Sequence, residues 1–160
     1  MKPFVAILIG SASDLKIMEG TFEVLDNLGI VYERRIASAH RTPDYVHSYV
    51  EDADSRGAAV FITAAGLANH LSGSVAALTL KPVIGVPIAA GPLQGQDALL
   101  STVQMPGGIP VACVAINGAK NAAYLAAQIL ALDDVSLETR LDHDRAMAAA
   151  KIIARNEDAE

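Results

Sequence analysis

The sequence predicts an α/β fold, a doubly wound sandwich of three layers in which helices cover both faces of a parallel sheet. Uninterrupted apolar runs recur along the chain with helical patterns between them, so that strand and helix alternate five times. Runs without polar alternation are typical of strands buried on both faces, as in parallel sheets. With 160 residues and no repeat, low-complexity tract or linker, the chain predicts a single domain, 1–160.

Five strands are predicted from these runs. The first, 4–9, is entirely apolar and ends at Gly10. The second, 31–37, contains three consecutive charged residues from Glu33, which suits a strand at the edge of the sheet. The other three strands are predicted at 58–65, 82–88 and 109–116.

Helices are predicted where apolar residues recur at intervals of three or four. The first helix begins after Ser13 or Asp14, either of which suits an N-cap, and Gly29 ends it. A short apolar helix after the third strand ends near Leu80. The other predicted helices are 43–56, 96–103, 119–132 and 136–154, and the polar tail 155–160 is expected to fray.

Composition limits the classes of function. A net charge of −6 and a pI near 5.1 argue against a nucleic-acid surface, which would be basic, but not against binding of a single phosphate group. The chain starts without a signal-peptide pattern and has no run of membrane-spanning length, so a cytoplasmic location is expected. The single cysteine, Cys113, lies in an apolar strand and is expected to be a small buried residue. An apolar content of 52% is high and suggests surface buried between subunits of an oligomer.

The first three predicted strands each end in a polar or glycine-rich turn. In a doubly wound sheet these strand ends lie along one edge, and ligands bind where the strand order reverses. With the flavodoxin-like order 2-1-3-4-5, that point lies between the first and third strands. The three turns are therefore expected to surround one crevice.

The first turn suits an anion such as a phosphate. Gly10 lets the backbone approach a ligand, and Ser11 and Ser13 add hydroxyl groups beside the free N–H groups of a helix start. Asp14 could accept hydrogen bonds from ribose hydroxyls. Ordinary helix capping would explain Ser13 and Asp14 equally well. The turn lacks the further glycines of a dinucleotide fingerprint and the Gly-Lys-Ser/Thr of a P-loop.

The second turn, Ser-Ala-His-Arg-Thr-Pro at 38–43, combines groups for two tasks. Arg41 can hold a phosphate through two parallel hydrogen bonds, and His40 is a candidate acid or base near neutral pH. The alternative is a helix start in which Ser38 and Thr42 are caps and both charged side chains lie in solvent.

The third turn, 65–73, places His70 beside Asn69 on a glycine-flanked loop, which makes His70 a second acid or base candidate. A hydrogen-bonded structural histidine is the alternative. A metal site is not expected, because the other histidines, His47 and His143, fall on helix surfaces. The chain also has neither a cysteine pair nor a His-x-x-x-His spacing.

These turns and a fourth stretch form an ordered set of motifs. They are Gly-Ser-x-Ser-Asp at 10–14, Ser-Ala-His-Arg-Thr-Pro at 38–43, Ala-Gly-x-x-x-His-Leu-x-Gly at 65–73, and Gln-Met-Pro-x-Gly-Ile-Pro at 104–110. The set resembles the 5-(carboxyamino)imidazole ribonucleotide mutase family of purine biosynthesis over nearly the whole chain, and the second motif is highly specific.

The resemblance implies a flavodoxin-like five-stranded sheet plus a C-terminal helix. It implies a core of 3–133, with 134–160 packing on a neighbouring subunit, typically in an octamer. It also implies an isomerase that moves a carboxylate from the exocyclic nitrogen of an imidazole ribonucleotide to ring carbon four. Carbon dioxide is the intermediate in that reaction, and no metal or organic cofactor takes part.

Matched residue by residue, the resemblance implies roles for the turns. Ser11 and Arg41 would bind the phosphate, with Ser13 nearby, and Asp14 would bind a ribose hydroxyl. Ser38 would line the site. His40 would move protons, and the turn around His70 would confine the carboxylate and the released carbon dioxide. The candidate catalytic residues are His40 and His70, and the candidate substrate-binding residues are Ser11, Ser13, Asp14, Ser38, Arg41, Asn69 and Leu71.

Two alternatives stay open. Residues 69 and 71–73 resemble the related branch, aminoimidazole ribonucleotide carboxylase, which takes free carbon dioxide, whereas Arg41, Pro43 and His70 favour the mutase. A non-catalytic flavodoxin-like nucleotide-binding domain is the alternative of a different class, although the presence of His40, Arg41 and Asp14 weighs against a protein without catalysis.

Overall fold

In the computed structural model, which describes residues 3–157, five parallel strands form one central sheet. Their bounds are β1 Phe4–Ile9, β2 Tyr32–Ile36, β3 Ala58–Gly66, β4 Val83–Ile88 and β5 Ala112–Cys113. The order across the sheet is β2-β1-β3-β4-β5, with every neighbouring pair parallel. The predicted flavodoxin-like order is confirmed, and the charged strand β2 lies at an edge as expected.

Helices cover both faces of the sheet. Their bounds are α1 Leu15–Asn27, α2 Pro43–Ser55, α3 His70–Ala76, α4 Gln96–Val103, α5 Ala119–Ala131 and α6 Val135–Glu157, and a short 3-10 helix spans Ala12–Asp14. Two hydrophobic clusters result, because alternate residues of the fully buried β1 point to opposite faces. One cluster lies beneath α1 and α5, and the other lies beneath α2 and α3. Within residues 3–157, no helix combines the length and apolar character needed to cross a membrane.

Several predicted bounds differ from the structure. The fifth strand, predicted at 109–116, pairs only at Ala112 and Cys113, because Pro110 has no N–H group to continue the ladder towards its start. Cys113 is consequently half-buried rather than enclosed, and burial raises the pKa of its thiol. Helix α3 ends at Ala76, short of the predicted Leu80.

The start of α1 and the end of α6 also differ in detail from the prediction. Asp14 is the N-cap of α1, as expected, although its side chain makes no cap hydrogen bond. Ser11 is the N-cap of the preceding 3-10 helix, and its hydroxyl oxygen accepts from the backbone N–H of Ser13. Helix α6 continues to Glu157, through the first part of the tail expected to fray. The rest of that tail, 158–160, lies outside the described residues.

Candidate active site

A cavity of about 520 Å³ lies at the carboxyl ends of β1 and β3, where the chain connections diverge. Residues from all three polar turns line it, together with Ala90, which follows β4. The predicted site residues that line this cavity are Ser11, Ser13, Asp14, Ser38, His40, Arg41 and Leu71. A cavity of this size suits a ligand as large as a mononucleotide.

Hydroxyl groups of the first turn form one side of the cavity. The Ser13 hydroxyl is 2.9 Å from Ser11 Oγ and 3.1 Å from Asp14 Oδ1, so it can donate to either. Gly10 brings this turn close to β3: its N–H donates to Ala64 O at 2.8 Å, and a Cβ at Gly10 would lie 3.1 Å from Ala65 Cβ. Close backbone approach therefore places the serines beside the end of β3.

Asp14 is a buried carboxylate in an otherwise open site, 7% exposed. Burial raises the pKa of Asp14 above its usual 3.8, while the hydrogen bond from Ser13 and the positive charge of Arg41 act in the opposite direction. The carboxylate thus faces the cavity with part of its hydrogen-bonding capacity available.

Arg41 connects the second turn to the first. Its Nη2 donates to Gly10 O at 3.1 Å, which points the guanidinium across the cavity. The turn itself is closed internally: the Arg41 N–H donates to Ser38 Oγ at 3.2 Å, and the Ser38 N–H donates to Thr42 Oγ1 at 2.9 Å. Ser38 and Thr42 therefore hold the turn shape instead of capping α2, which has no side-chain cap.

The two candidate catalytic histidines meet at the cavity rim. His40 Nε2 lies 2.6 Å from His70 Nδ1, with the ring planes inclined by 75°. At this distance one nitrogen must donate and the other must accept, because two N–H groups or two lone pairs would repel. Both residues are exposed, and His70 is the first residue of α3. The contact joins the turn after β2 to the turn after β3.

Two predicted site residues do not line the cavity: His70, which meets it only through its contact with His40, and Asn69. Asn69 is fully buried and is the N-cap of α3: its Oδ1 accepts from the Ser72 N–H at 3.4 Å, and its Nδ2 donates to Thr102 Oγ1 at 2.8 Å. Leu71, in contrast, lines the cavity while packing into the core.

An apolar wall of the cavity was not singled out from the sequence. Leu67 and Ala68 follow β3, and Ala90 follows β4. Leu67 is 53% exposed and has φ +55°, a left-handed conformation that is uncommon for leucine. Only their positions just beyond strand ends could have identified these residues from the sequence, because apolar side chains have no charged, acidic or basic group.

Within residues 3–157, no group of three or more His, Cys, Asp and Glu side chains is arranged to hold a metal ion. The polar groups of the cavity are one cation, one carboxylate, three serine hydroxyls and the histidine pair at its rim. This set can bind an anion, accept hydrogen bonds from hydroxyls and transfer protons.

The sheet order and the placement of this cavity define a flavodoxin-like α/β protein with a polar site at its topological switch point. Residues 4–154 match the AIR carboxylase family, and the chain belongs to that family. It is 50% identical over 147 residues to N5-carboxyaminoimidazole ribonucleotide mutase of Bacillus subtilis, covering 91% of each chain. It is also 50% identical over 153 residues to the mutase of the same name from Methanocaldococcus jannaschii, covering 96% of this chain and 95% of that relative. Treponema denticola PurE has the same fold, with a TM-score of 0.89 and 35% identity over 98% of both chains.

Proposed function

We propose that this protein is an N5-carboxyaminoimidazole ribonucleotide mutase, an isomerase of purine biosynthesis. The observation that carries the proposal is the His40–His70 pair, 2.6 Å apart, at the rim of a cavity that also holds Arg41 and the serines of the first turn. The names of the relatives that match nearly the full chain support the same reaction.

In this proposal the phosphate of the substrate binds to Arg41, Ser11 and Ser13. One N–H of the guanidinium already donates to Gly10 O, which fixes its direction and leaves further N–H groups for phosphate oxygens. Asp14 accepts a hydrogen bond from a ribose hydroxyl, and Ser38 lines the site between them. The imidazole ring then reaches the apolar wall at Leu67 and Leu71, close to the histidine pair.

The reaction requires one proton in and one proton out. Breaking the bond between the exocyclic nitrogen and the carboxylate carbon leaves carbon dioxide, and the nitrogen takes up a proton. Ring carbon four then forms a bond to carbon dioxide and loses its own proton. His40 can supply the first proton and accept the second, because imidazole serves as either acid or base near neutral pH.

His70 supports these steps as the hydrogen-bonding partner of His40 Nε2. It orients the His40 ring before the substrate binds and can hold a proton while His40 is without one. The apolar residues of the turn, with Leu71, retain carbon dioxide beside the ring carbon, and holding two reactants together is a large part of the barrier reduction. Asn69, buried below the surface of the cavity, stabilises this turn as the N-cap of α3.

We further propose that the protein acts in the cytoplasm as an oligomer, an octamer on the pattern of the family. Both histidines are exposed in the single chain, so a neighbouring subunit is expected to cover the site. The apolar content of 52% and the exposed half of α6 support this assembly.

Two substrate mixtures test the reaction. Purified protein is given the carbamate nucleotide or, separately, aminoimidazole ribonucleotide with bicarbonate, and formation of 4-carboxy-5-aminoimidazole ribonucleotide is followed. We expect rapid conversion of the carbamate at a rate that added bicarbonate does not change. Efficient conversion of the second mixture alone would identify a carboxylase that uses free carbon dioxide, and conversion of neither would identify a binding protein.

A further inference from the structure

A chain of buried hydrogen bonds runs beneath the turn that carries His70. Thr63 of β3 donates to Ser72 Oγ at 2.8 Å, and Ser72 Oγ is 3.2 Å from Asn69 Oδ1. Asn69 Nδ2 donates to Thr102 Oγ1 at 2.8 Å, and the Thr102 hydroxyl donates to Ala98 O at 2.6 Å. All four side chains belong to fully buried residues.

The groups on either side of Asn69 fix the orientation of its amide. The backbone N–H and the hydroxyl of Ser72 lie 3.4 Å and 3.2 Å from Asn69 Oδ1, and the Thr102 hydroxyl gives its single proton to Ala98 O. The Asn69 amide must therefore present oxygen to Ser72 and nitrogen to Thr102. Only an amide can satisfy both neighbours, because a carboxylate has no N–H to donate to Thr102.

Helix α4 holds Asn69 by a second contact. The Asn69 backbone N–H donates to Ser101 Oγ at 2.9 Å, and Ser101 in turn donates to Asp97 O at 2.7 Å. Space for the Thr102 side chain exists because residue 85 of β4 is glycine: a Cβ at Gly85 would overlap Thr102 Cγ2. The hydroxyls of two adjacent residues of α4 thus accept hydrogen bonds from the backbone N–H and the side-chain amide of Asn69.

We infer that Thr102, acting through Asn69, is a positioning residue for His70. Asn69 immediately precedes His70 and is the N-cap of the helix that His70 begins, so the place of the His70 ring relative to His40 depends on this cap. The inference rests on the proposed function in so far as the histidine pair carries the reaction. Helix α4 lines none of the cavity, yet it sets the geometry at its rim.

The test is the near-isosteric variant Thr102→Val, which removes the acceptor of Asn69 Nδ2 without removing volume. A catalytic histidine displaced by a fraction of an ångström to 1 Å should lower kcat by about tenfold to hundredfold. KM should change less than twofold, because the proposed phosphate and ribose contacts come from other turns. Thr102→Ser, which restores the hydroxyl, should recover most of the wild-type kcat.

The matched control is Thr21→Val. Thr21 is also fully buried and donates to Ala119 O at 2.8 Å, but it joins α1 to α5, away from the cavity. This variant should lose comparable stability and keep wild-type kinetics. If Thr102→Val retains wild-type kcat, or if Thr21→Val lowers kcat as much, the positioning role is refuted.

Two further measurements keep the test decisive. If Thr102→Val does not fold, Ser101→Ala removes the bond to the Asn69 N–H, and a kcat drop of about threefold or more with unchanged KM is expected. If the wild-type protein converts neither substrate, the proposed function has failed, and the crystal structure of Thr102→Val decides the inference alone. A His40–His70 contact unchanged at 2.6 Å in that structure would overturn it.

Discussion

Among the individual residues of the site, Arg41 and Asp14 carry opposite charges and face the same cavity. Their environments differ. Arg41 is exposed, and its hydrogen bond to a backbone carbonyl fixes the direction of the guanidinium. Asp14 is buried, and burial raises the pKa of its carboxyl group because the charged form loses solvent. A ligand with hydroxyl donors would compensate Asp14, which fits a role in binding ribose.

Replacing His40 by asparagine should lower kcat by about 10²–10⁴-fold, the usual contribution of a positioned acid or base. Nucleotide affinity should stay within a few fold, since the phosphate and ribose contacts come from other residues. Steady-state kinetics and titration calorimetry measure the two quantities. His47→Asn is the control, because His47 lies on the exposed surface of α2 with Glu51 as its neighbour. Near-wild-type turnover in His40→Asn would remove this residue from the mechanism.

Asp14→Asn should stabilise the free protein at neutral pH while weakening substrate binding. The folded-state pKa of Asp14 is raised above 3.8, so the folded protein binds this proton more tightly than the unfolded chain does. Stability therefore falls as the pH rises from 3.8 through the raised pKa, and the variant escapes that loss. Substrate affinity should drop by about 10- to 100-fold for one lost hydrogen bond to a charged group.

Urea unfolding from pH 3.5 to pH 7 measures this effect. The stability difference between Asp14→Asn and wild type should be smallest at the acid end and grow towards neutral pH. Asp133→Asn, which changes an exposed carboxylate, should show no such growth. A pH-independent difference for Asp14→Asn would contradict the role of burial.

At the scale of elements, the strands and helices with strong local signals were predictable. Six consecutive apolar residues before Gly10 fixed the bounds of β1, whereas β5 depends on where Pro110 interrupts pairing with β4. The site could be placed at the strand ends from topology alone. Two features of the site could not be predicted from the sequence: the contact of His40 with His70, and the burial of Asn69. Both depend on residues that lie far apart along the chain, such as Thr102 for Asn69.

The junction of β3 with the cavity should not tolerate a side chain at Gly66. A Cβ there would lie 2.7 Å from Ala90 Cβ and 3.2 Å from Ile88 O, so the end of β4 would have to move. We expect Gly66→Ala to lose about 1–3 kcal/mol of unfolding free energy, as overpacked cores do. Its kcat/KM should fall as well, because the cavity wall shifts.

Gly107→Ala is the matched control for this variant. Nothing lies within 4 Å of a Cβ at Gly107, and we expect a change within about 0.5 kcal/mol. Chemical denaturation and steady-state kinetics compare the two proteins. Equal stability of the two variants would show that β4 accommodates the extra methyl group.

For the whole molecule, α6 is the element whose surface is only partly used. Its first half packs on the body: Leu137 is buried, and Tyr124 donates to Asp144 at 2.6 Å. From residue 146 to residue 156 every residue is exposed, including Met147, Ile152 and Ile153. Apolar residues grouped on a projecting helix are typical of a surface that a partner covers.

The double variant Ile152→Glu/Ile153→Glu should therefore reduce the size of the proposed assembly, because charge would be buried at the contact. Sedimentation velocity should show a species smaller than the octamer expected for wild type. Lys151→Glu is the control, since it adds negative charge to the same turn without removing apolar surface. Unchanged mass in the double variant would place the subunit contacts elsewhere.

The charged edge strand has a consequence for the newly synthesised chain. In the single chain, β2 offers unpaired backbone groups along its outer side, the usual starting point for aggregation through added strands. Glu33, Arg34 and Arg35 lie along that edge, and the opposite edge, β5, pairs through only two residues. An added strand would therefore meet charged side chains at one edge of the sheet and a very short strand at the other, which should protect the newly synthesised chain against aggregation.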